Sequence, residues 1–218
     1  MVGALHRSGK SRDVTVNDEK LVAASLVKLY IMLAVFDGIE HDTITDDANV
    51  DALLKQMITV SSNEAANGLL SRIGNGDGKA AIATVTATAQ RYGFTSSEEL
   101  RTLTGMASGN AVENWTSTRD CGSFLSQVYA GTLVSKNASE RMMQLLLGQT
   151  RRTKIPAGVP SGVKVANKTG ELAAVQNDVA IVFGTHPYVL AVMSNDISSA
   201  VAPSQITELS RAVWDAAQ

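Results

Sequence analysis

The chain has a single cysteine, Cys121, so no internal disulfide can staple it and a packed core must hold it together. Cys121 lies in an apolar segment with Phe124, Leu125 and Val128, where a thiol serves as a small buried hydrophobe. Histidine is also scarce. His6, His41 and His186 stand apart in surface-like or turn-like contexts, and no His/Cys ligand cluster exists, which disfavours a metalloenzyme. Without Gly-x-Ser-x-Gly, a Ser-His-Asp hydrolase is disfavoured as well. Neither sign of charge is in excess: the net charge is −2 with both signs scattered, so no nucleic-acid surface or membrane-attracted basic face is expected. The longest apolar run, Leu29 to Phe36, is too short to span a bilayer. No signal peptide follows Met1. That leaves a cytoplasmic protein, or an exported one whose leader has been removed.

What is present is an ordinary globular composition, 44% hydrophobic and 18% charged over 218 residues. This suffices for one sizeable core or two small lobes sharing a cleft. The most informative stretch runs from Ala23 to Phe36. It is apolar almost all the way round, the mark of a helix buried in a core. Lys28 is the only charged residue between Lys20 and Asp37. An ammonium is rarely buried without a partner, because losing its hydration costs several kcal/mol or more. Ser25 lies three residues earlier, one helical turn away on the same face. Desolvation lowers a lysine pKa until the neutral amine can take a serine proton. A helix N-terminus also favours negative charge developing at the serine. Against this, a Ser-x-x-Lys pair arises by chance about once in a chain of this length. A second copy, Ser161-Gly162-Val163-Lys164, reads as a turn entering a strand, where residues three apart face opposite ways.

In chain order, the first 24 residues read as a hairpin, with strands at Val2 to His6 and Val14 to Asn17. The buried helix from Ser25 stops near Gly38. A second helix, capped by Asp46 or Asp47, runs through Ile58. Ser61-Ser62-Asn63-Glu64 interrupts, and a helix resumes from Ala65 to Ile73. Gly74 to Gly78 is a loop, and a helix covers Lys79 to Tyr92. Residues 94–114 predict a long loop with a turn of helix at Glu98 to Leu103, and loops of that length are often functional. Helices follow over Ser117 to Ala130 and Ala138 to Leu147. Strands are then predicted at Val163 to Asn167, Asp178 to Gly184 and Tyr188 to Asn195, and a helix from Ser204. The predicted fold is α/β of the α+β kind: an antiparallel sheet flanked by terminal helices, with an inserted all-helical lobe. Residues 1–218 form one catalytic unit in this reading, with a sheet lobe from 1–24 and 150–218 and a helical lobe at 25–149.

Lys168-Thr169-Gly170 closes the first late strand. With Ser25-Leu26-Val27-Lys28 and Ser61-Ser62-Asn63, in that order, it resembles the three motifs of the penicillin-recognising serine enzymes: Ser-x-x-Lys, Ser-x-Asn and Lys-Thr-Gly. Ser-x-Asn also occurs at Ser108-Gly109-Asn110 and at Ser135-Lys136-Asn137, the latter in a helix-cap position. The segments from Asn114 to Asp120 and from Arg152 to Glu171 are similar to the class A β-lactamase branch, so the resemblance spans nearly the whole chain. It implies a β-lactamase/transpeptidase-like fold and no cofactor. Ser25 is the implied nucleophile, Lys28 its base, and Ser61 the proton donor to the departing nitrogen, with Lys168 holding that network. Backbone N–H groups of Ser25 and of Glu171, after Gly170, form the implied oxyanion hole, a device worth roughly 3–4 kcal/mol per donor. Asn63 binds the substrate's acylamide group. Thr169 binds its carboxylate, with Arg151 or Arg152 nearby. The implied partner is a small-molecule β-lactam or a D-alanyl-D-alanine peptide. The chain is expected to be a monomer and, if an export segment has been removed, to be secreted or to act in the cell envelope.

Two departures from the family pattern stand out. Ser62 replaces the usual aspartate in the second motif, which threatens local structure more than chemistry. More seriously, no Glu-x-x-Leu-Asn string exists to activate the deacylating water, and Arg101 falls where that glutamate belongs. Glu98, Glu99 and Glu113 are substitutes only if the loop refolds. The leading reading that the resemblance implies is a serine hydrolase of the class A β-lactamase type, acylated on Ser25 and hydrolysing the cyclic amide. Slow deacylation would make it instead a D-alanyl-D-alanine carboxypeptidase or penicillin-binding protein. A non-catalytic binding module on the same fold is a third reading. The short spacing from Ser25 to Ser61 implies a trimmed helical lobe and a more open cleft.

Overall fold

The computed structural model describes residues 2–4, 13–103 and 112–218. The strands are β1 (Val2–Ala4), β2 (Asp13–Val14), β3 (Leu21–Val22), β4 (Trp115–Thr116), β5 (Lys164–Leu172), β6 (Val175–Phe183) and β7 (Tyr188–Val192). The helices are α1 (Lys28–Glu40), α2 (Ala48–Thr59), α3 (Asn63–Ile73), α4 (Gly78–Arg91), α5 (Thr118–Ala130), α6 (Lys136–Leu147) and α7 (Ala202–Ala217). Five strands make an antiparallel sheet in the order β2-β1-β7-β6-β5. The helices α1 to α6 fall between β3 and β5, and α7 covers one face of the sheet. Among the described residues no helix is long and apolar enough to cross a membrane.

Strand alternation divides the apolar residues between two cores. Ala166, Val179, Ile181, Val189 and Ala191 face the main core, which also holds α1 to α6. Val165, Ala180, Val182, Tyr188 and Leu190 face Ile155 and, on α7, Ile206. The helix α1 is the hub of the main core, with every residue from Lys28 to Gly38 buried. Tyr30 anchors it, its hydroxyl 2.7 Å from Thr116 Oγ1 and its ring against Phe94 and Phe124. Cys121 is fully buried beside it, and burial pushes its thiol up to about 11.

Several boundaries move, each for a local reason. The strand predicted over Val14 to Asn17 is Asp13–Val14, and Leu21–Val22 pairs instead with Trp115–Thr116. Ser25 lies on a 3-10 turn (Ala24–Val27) that leads into α1. The helical turn predicted at Glu98 to Leu103 is absent. Glu98 bridges Trp115, and the N–H groups of Leu100 and Arg101 donate to Asn114 Oδ1, which takes donors a helix would need. Asp47, rather than Asp46, caps α2. Ser62 caps α3, its Oγ accepting from Ala65 N–H at 3.1 Å, so the expected local damage does not occur. Ser135 caps α6, and the second Ser-x-x-Lys enters β5 through Gly162 at φ +88°, as its sequence implies. The Ser108 copy of Ser-x-Asn lies outside the described residues.

Gly170 sets how closely the sheet approaches the Ser25 turn. A Cβ there would sit 2.7 Å from the Ala23 carbonyl oxygen and 3.2 Å from Leu26 Cγ. Only a residue without a side chain lets β5 close against the turn that carries Ser25. Gly170→Ala is therefore expected to cost about 1–3 kcal/mol, as overpacking does. Chemical denaturation measures it, and an unchanged midpoint would refute this close approach.

Candidate active site

Each motif reaches the cleft from a different element. Ser25 comes from the 3-10 turn, Ser61 and Asn63 from the start of α3, and Lys168 to Glu171 from β5. Hydrogen bonds on both sides hold the Ser25 turn. Ala23 N–H donates to Asn114 C=O at 2.8 Å, and Asn177 Nδ2 on β6 donates to Ala23 C=O at 3.2 Å. The backbone is strained on either side of the cleft, Ala24 at φ +46° and Ser61 at φ +62°, in the left-handed region that ordinary residues avoid.

The Ser61 conformation turns both of its oxygens toward Lys28. The Lys28 Nζ lies 2.6 Å from Ser61 O, 3.2 Å from Ser61 Oγ, 2.6 Å from Asn63 Oδ1 and 3.1 Å from Ser25 Oγ. An ammonium has three donors, so these four acceptors cannot all be served at once. In the neutral amine, the form that burial and the Arg151 charge favour, two N–H groups remain. The two shortest contacts take the remaining N–H groups, and the lone pair is left for the Ser25 hydroxyl proton. Lys28 is fully buried, and burial, then the Arg151 charge, lowers its pKa to about 8 against an opposing pull from Glu99. Lys168 is fully buried too. Its Nζ donates to Ser61 Oγ at 2.9 Å and to Thr169 C=O at 2.7 Å. Burial, then Lys28 and Arg151, hold Lys168 well below the ordinary lysine range. Ser61 Oγ thus lies between two amines, and a proton can pass along Ser25, Lys28, Ser61 and Lys168 without leaving hydrogen-bond distance.

Beyond Lys168, β5 is the outer strand of its sheet, so it offers backbone groups to the cleft rather than to another strand. Thr169 is buried, and the Glu171 carboxylate binds Arg151 and Lys154. Arg152 turns away to Val165 C=O.

The opposite wall comes from the long loop. Its carboxylates separate into three environments. Glu98 pairs with Lys20 at 2.8 Å, and Glu113 pairs with Arg101 at 2.9 Å. Glu99 is 1% exposed with neither carboxyl oxygen hydrogen-bonded. Burial pushes Glu99 up to about 8, although Lys28 and Arg101 pull it down, so it is mostly protonated at neutral pH. Arg101 lines the cleft as a paired cation, and sequence reading missed its neighbour Leu103. Leu103 lines the same cleft as Ser25 and Asn63, a space of about 560 Å³. Asn67 on α3 clamps its backbone in both directions, accepting from Leu103 N–H at 2.9 Å and donating to its carbonyl at 3.1 Å. No motif announces that clamp, because Asn67 and Leu103 lie 36 residues apart.

Comparison with solved structures extends over the whole fold. A β-lactamase from Sphaerobacter thermophilus superposes with a TM-score of 0.83 at 22% identity, over 99% of this chain and 91% of that one. A β-lactamase from Chitinophaga pinensis gives 0.86 at 19% identity, over 100% and 93%. PBP-A gives 0.82 at 23% identity, over 99% and 88%, and a PBP-A variant with a TM-score of 0.80 at 23% identity, over 99% and 88%, is an acyl-enzyme complex with penicillin G. No curated protein matches the chain in sequence. The sequence profile of the β-lactamase enzyme family, however, matches residues 45–217. On that match, with the fold agreeing, the chain belongs to the β-lactamase enzyme family.

Proposed function

We propose that the protein is an acyl-serine enzyme that opens a β-lactam, or the terminal amide of a D-alanyl-D-alanine peptide, by forming an ester on Ser25. The observation that carries this reading is the fully buried Lys28 amine 3.1 Å from Ser25 Oγ. Neutral Lys28 takes the hydroxyl proton as Oγ attacks the carbonyl carbon, and the backbone N–H groups of Ser25 and Glu171 receive the developing oxyanion. The C–N bond then breaks, and the nitrogen leaves with a proton from Ser61, which Lys28 and Lys168 replenish. Asn63 orients the acylamide group, and Thr169 the carboxylate. The whole chain acts as one catalytic unit around this cleft.

Release is the slower half of the cycle in this reading. Hydrolysis of the ester needs a base to activate water. Leu103 fills the facing wall, Arg101 engages Glu113, and Glu99 holds its proton near neutrality. This favours a penicillin-binding carboxypeptidase with a long-lived acyl-enzyme over a fast β-lactamase. The non-catalytic alternative finds no support in a site whose two amines and two serines are all within hydrogen-bond distance.

Intact-mass spectrometry after incubation with benzylpenicillin tests the reading. The native protein should gain the mass of the drug and Ser25→Ala should gain nothing; an unmodified native protein would sink the enzymatic reading. With a chromogenic cephalosporin, a burst near one equivalent should precede slow turnover. Leu103→Glu puts a carboxylate on the same wall and should raise that turnover about tenfold or more, within the usual range for a general base. The acylation rate should rise with pH through a midpoint near 8, because the base is the deprotonated form of Lys28. A rate flat from pH 6 to about 10 would exclude Lys28 as that base.

A further inference from the structure

The residue after Gly170 places a carboxylate in the cleft itself. Glu171 lines the same space as Ser25 and Asn63, and both of its oxygens are engaged. One accepts from Arg151 Nη1 at 2.5 Å, and the other meets Lys154 Nζ at 2.8 Å. The two cations differ in access. Lys154 is 1% exposed and also donates to Asn177 C=O at 3.0 Å, so it belongs to the interior and Glu171 is its built-in counter-charge. Arg151 has a side chain 47% exposed, and its positive charge acts on both Lys28 and Lys168. Its pairing with Glu171, which lines the cleft, makes it the accessible guanidinium beside β5, where the acyl-serine reading seats the substrate carboxylate. Arg152 cannot replace it while it donates to Val165 C=O at 3.2 Å.

A guanidinium fork matches one carboxylate at a time. We propose that Glu171 is an internal competitor for Arg151. It occupies the fork in the free protein, so an acyl donor bearing a carboxylate beside its scissile amide must displace it or lie against a second anion. Glu171 therefore reduces the rate advantage that a carboxylate at that end gives an acyl donor over its neutral ester. The inference rests on the acyl-serine reading and adds the charge preference of that same site.

The test compares benzylpenicillin with its methyl ester, using second-order acylation rates from time-resolved intact-mass spectrometry. Replacing the carboxylate, Glu171→Gln, should raise the acid-to-ester rate ratio about tenfold. Lys154 loses its counter-charge in that variant and could unfold it, so Arg151→Ala, at a more exposed position, serves as the second probe. It should lower the same ratio several-fold, because the fork that a carboxylate would claim is gone and Glu171 stays. A ratio unmoved or reduced in Glu171→Gln, or unmoved in Arg151→Ala, overturns the competitor role alone. No adduct from either compound on the native protein overturns that role and the acyl-serine reading together.

Discussion

An amine shut away from water, with more acceptors around it than it has protons to give, is the constraint on which the rest of this structure depends. Burying Lys28 as an ammonium costs several kcal/mol unless every proton finds a partner. Ser61 C=O and Asn63 Oδ1 meet that demand at 2.6 Å each, and the Ser25 and Ser61 hydroxyls crowd the remaining direction. Those acceptors favour the charged form, but burial and the Arg151 charge outweigh them and lower the Lys28 pKa to about 8. Burial and then the Lys28 charge hold the second amine, Lys168 on the far side of Ser61, well below the ordinary lysine range, since two ammonium groups sharing one hydroxyl repel.

The architecture follows from holding those groups together. Ser25, Ser61 and Lys168 come from a 3-10 turn, the loop before α3, and an outer strand, so no single element can position them. The Ser25 turn is fixed to the long loop through Asn114 and to the sheet through Asn177, and Gly170 lets the strand approach. Positive φ at Ala24 and Ser61 is the strain accepted for that geometry, and the buried packing of α1 is what holds it.

In the proposed mechanism the loop wall bears on release of the acyl group rather than on its formation. Arg101 is neutralised by Glu113, and Glu99 is dehydrated until it keeps its proton. Neither leaves a free carboxylate beside the ester that the proposed mechanism creates. Glu171 extends the pattern to the other end of the cleft, where it already occupies Arg151 and Lys154. In its free state the cleft is a set of internally satisfied charges, and a substrate has to fit around them.

Much of this was written in the chain. The all-apolar helix with one lysine, the alternation in β5 to β7, and three short motifs in order specify the sheet, the helices between its strands and the residues Ser25, Lys28, Ser61, Asn63 and Lys168. Such features are local, because periodicity and spacing within a dozen residues decide which face a side chain takes. The pairing of β3 with β4, the clamp of Asn67 on Leu103, the choice of Arg151 over Arg152 and the burial of Glu99 were not legible. Each depends on which distant groups share one small volume. A carboxyl's charge, or a guanidinium's partner, is set by that volume's water and neighbours, and only the tertiary structure decides those.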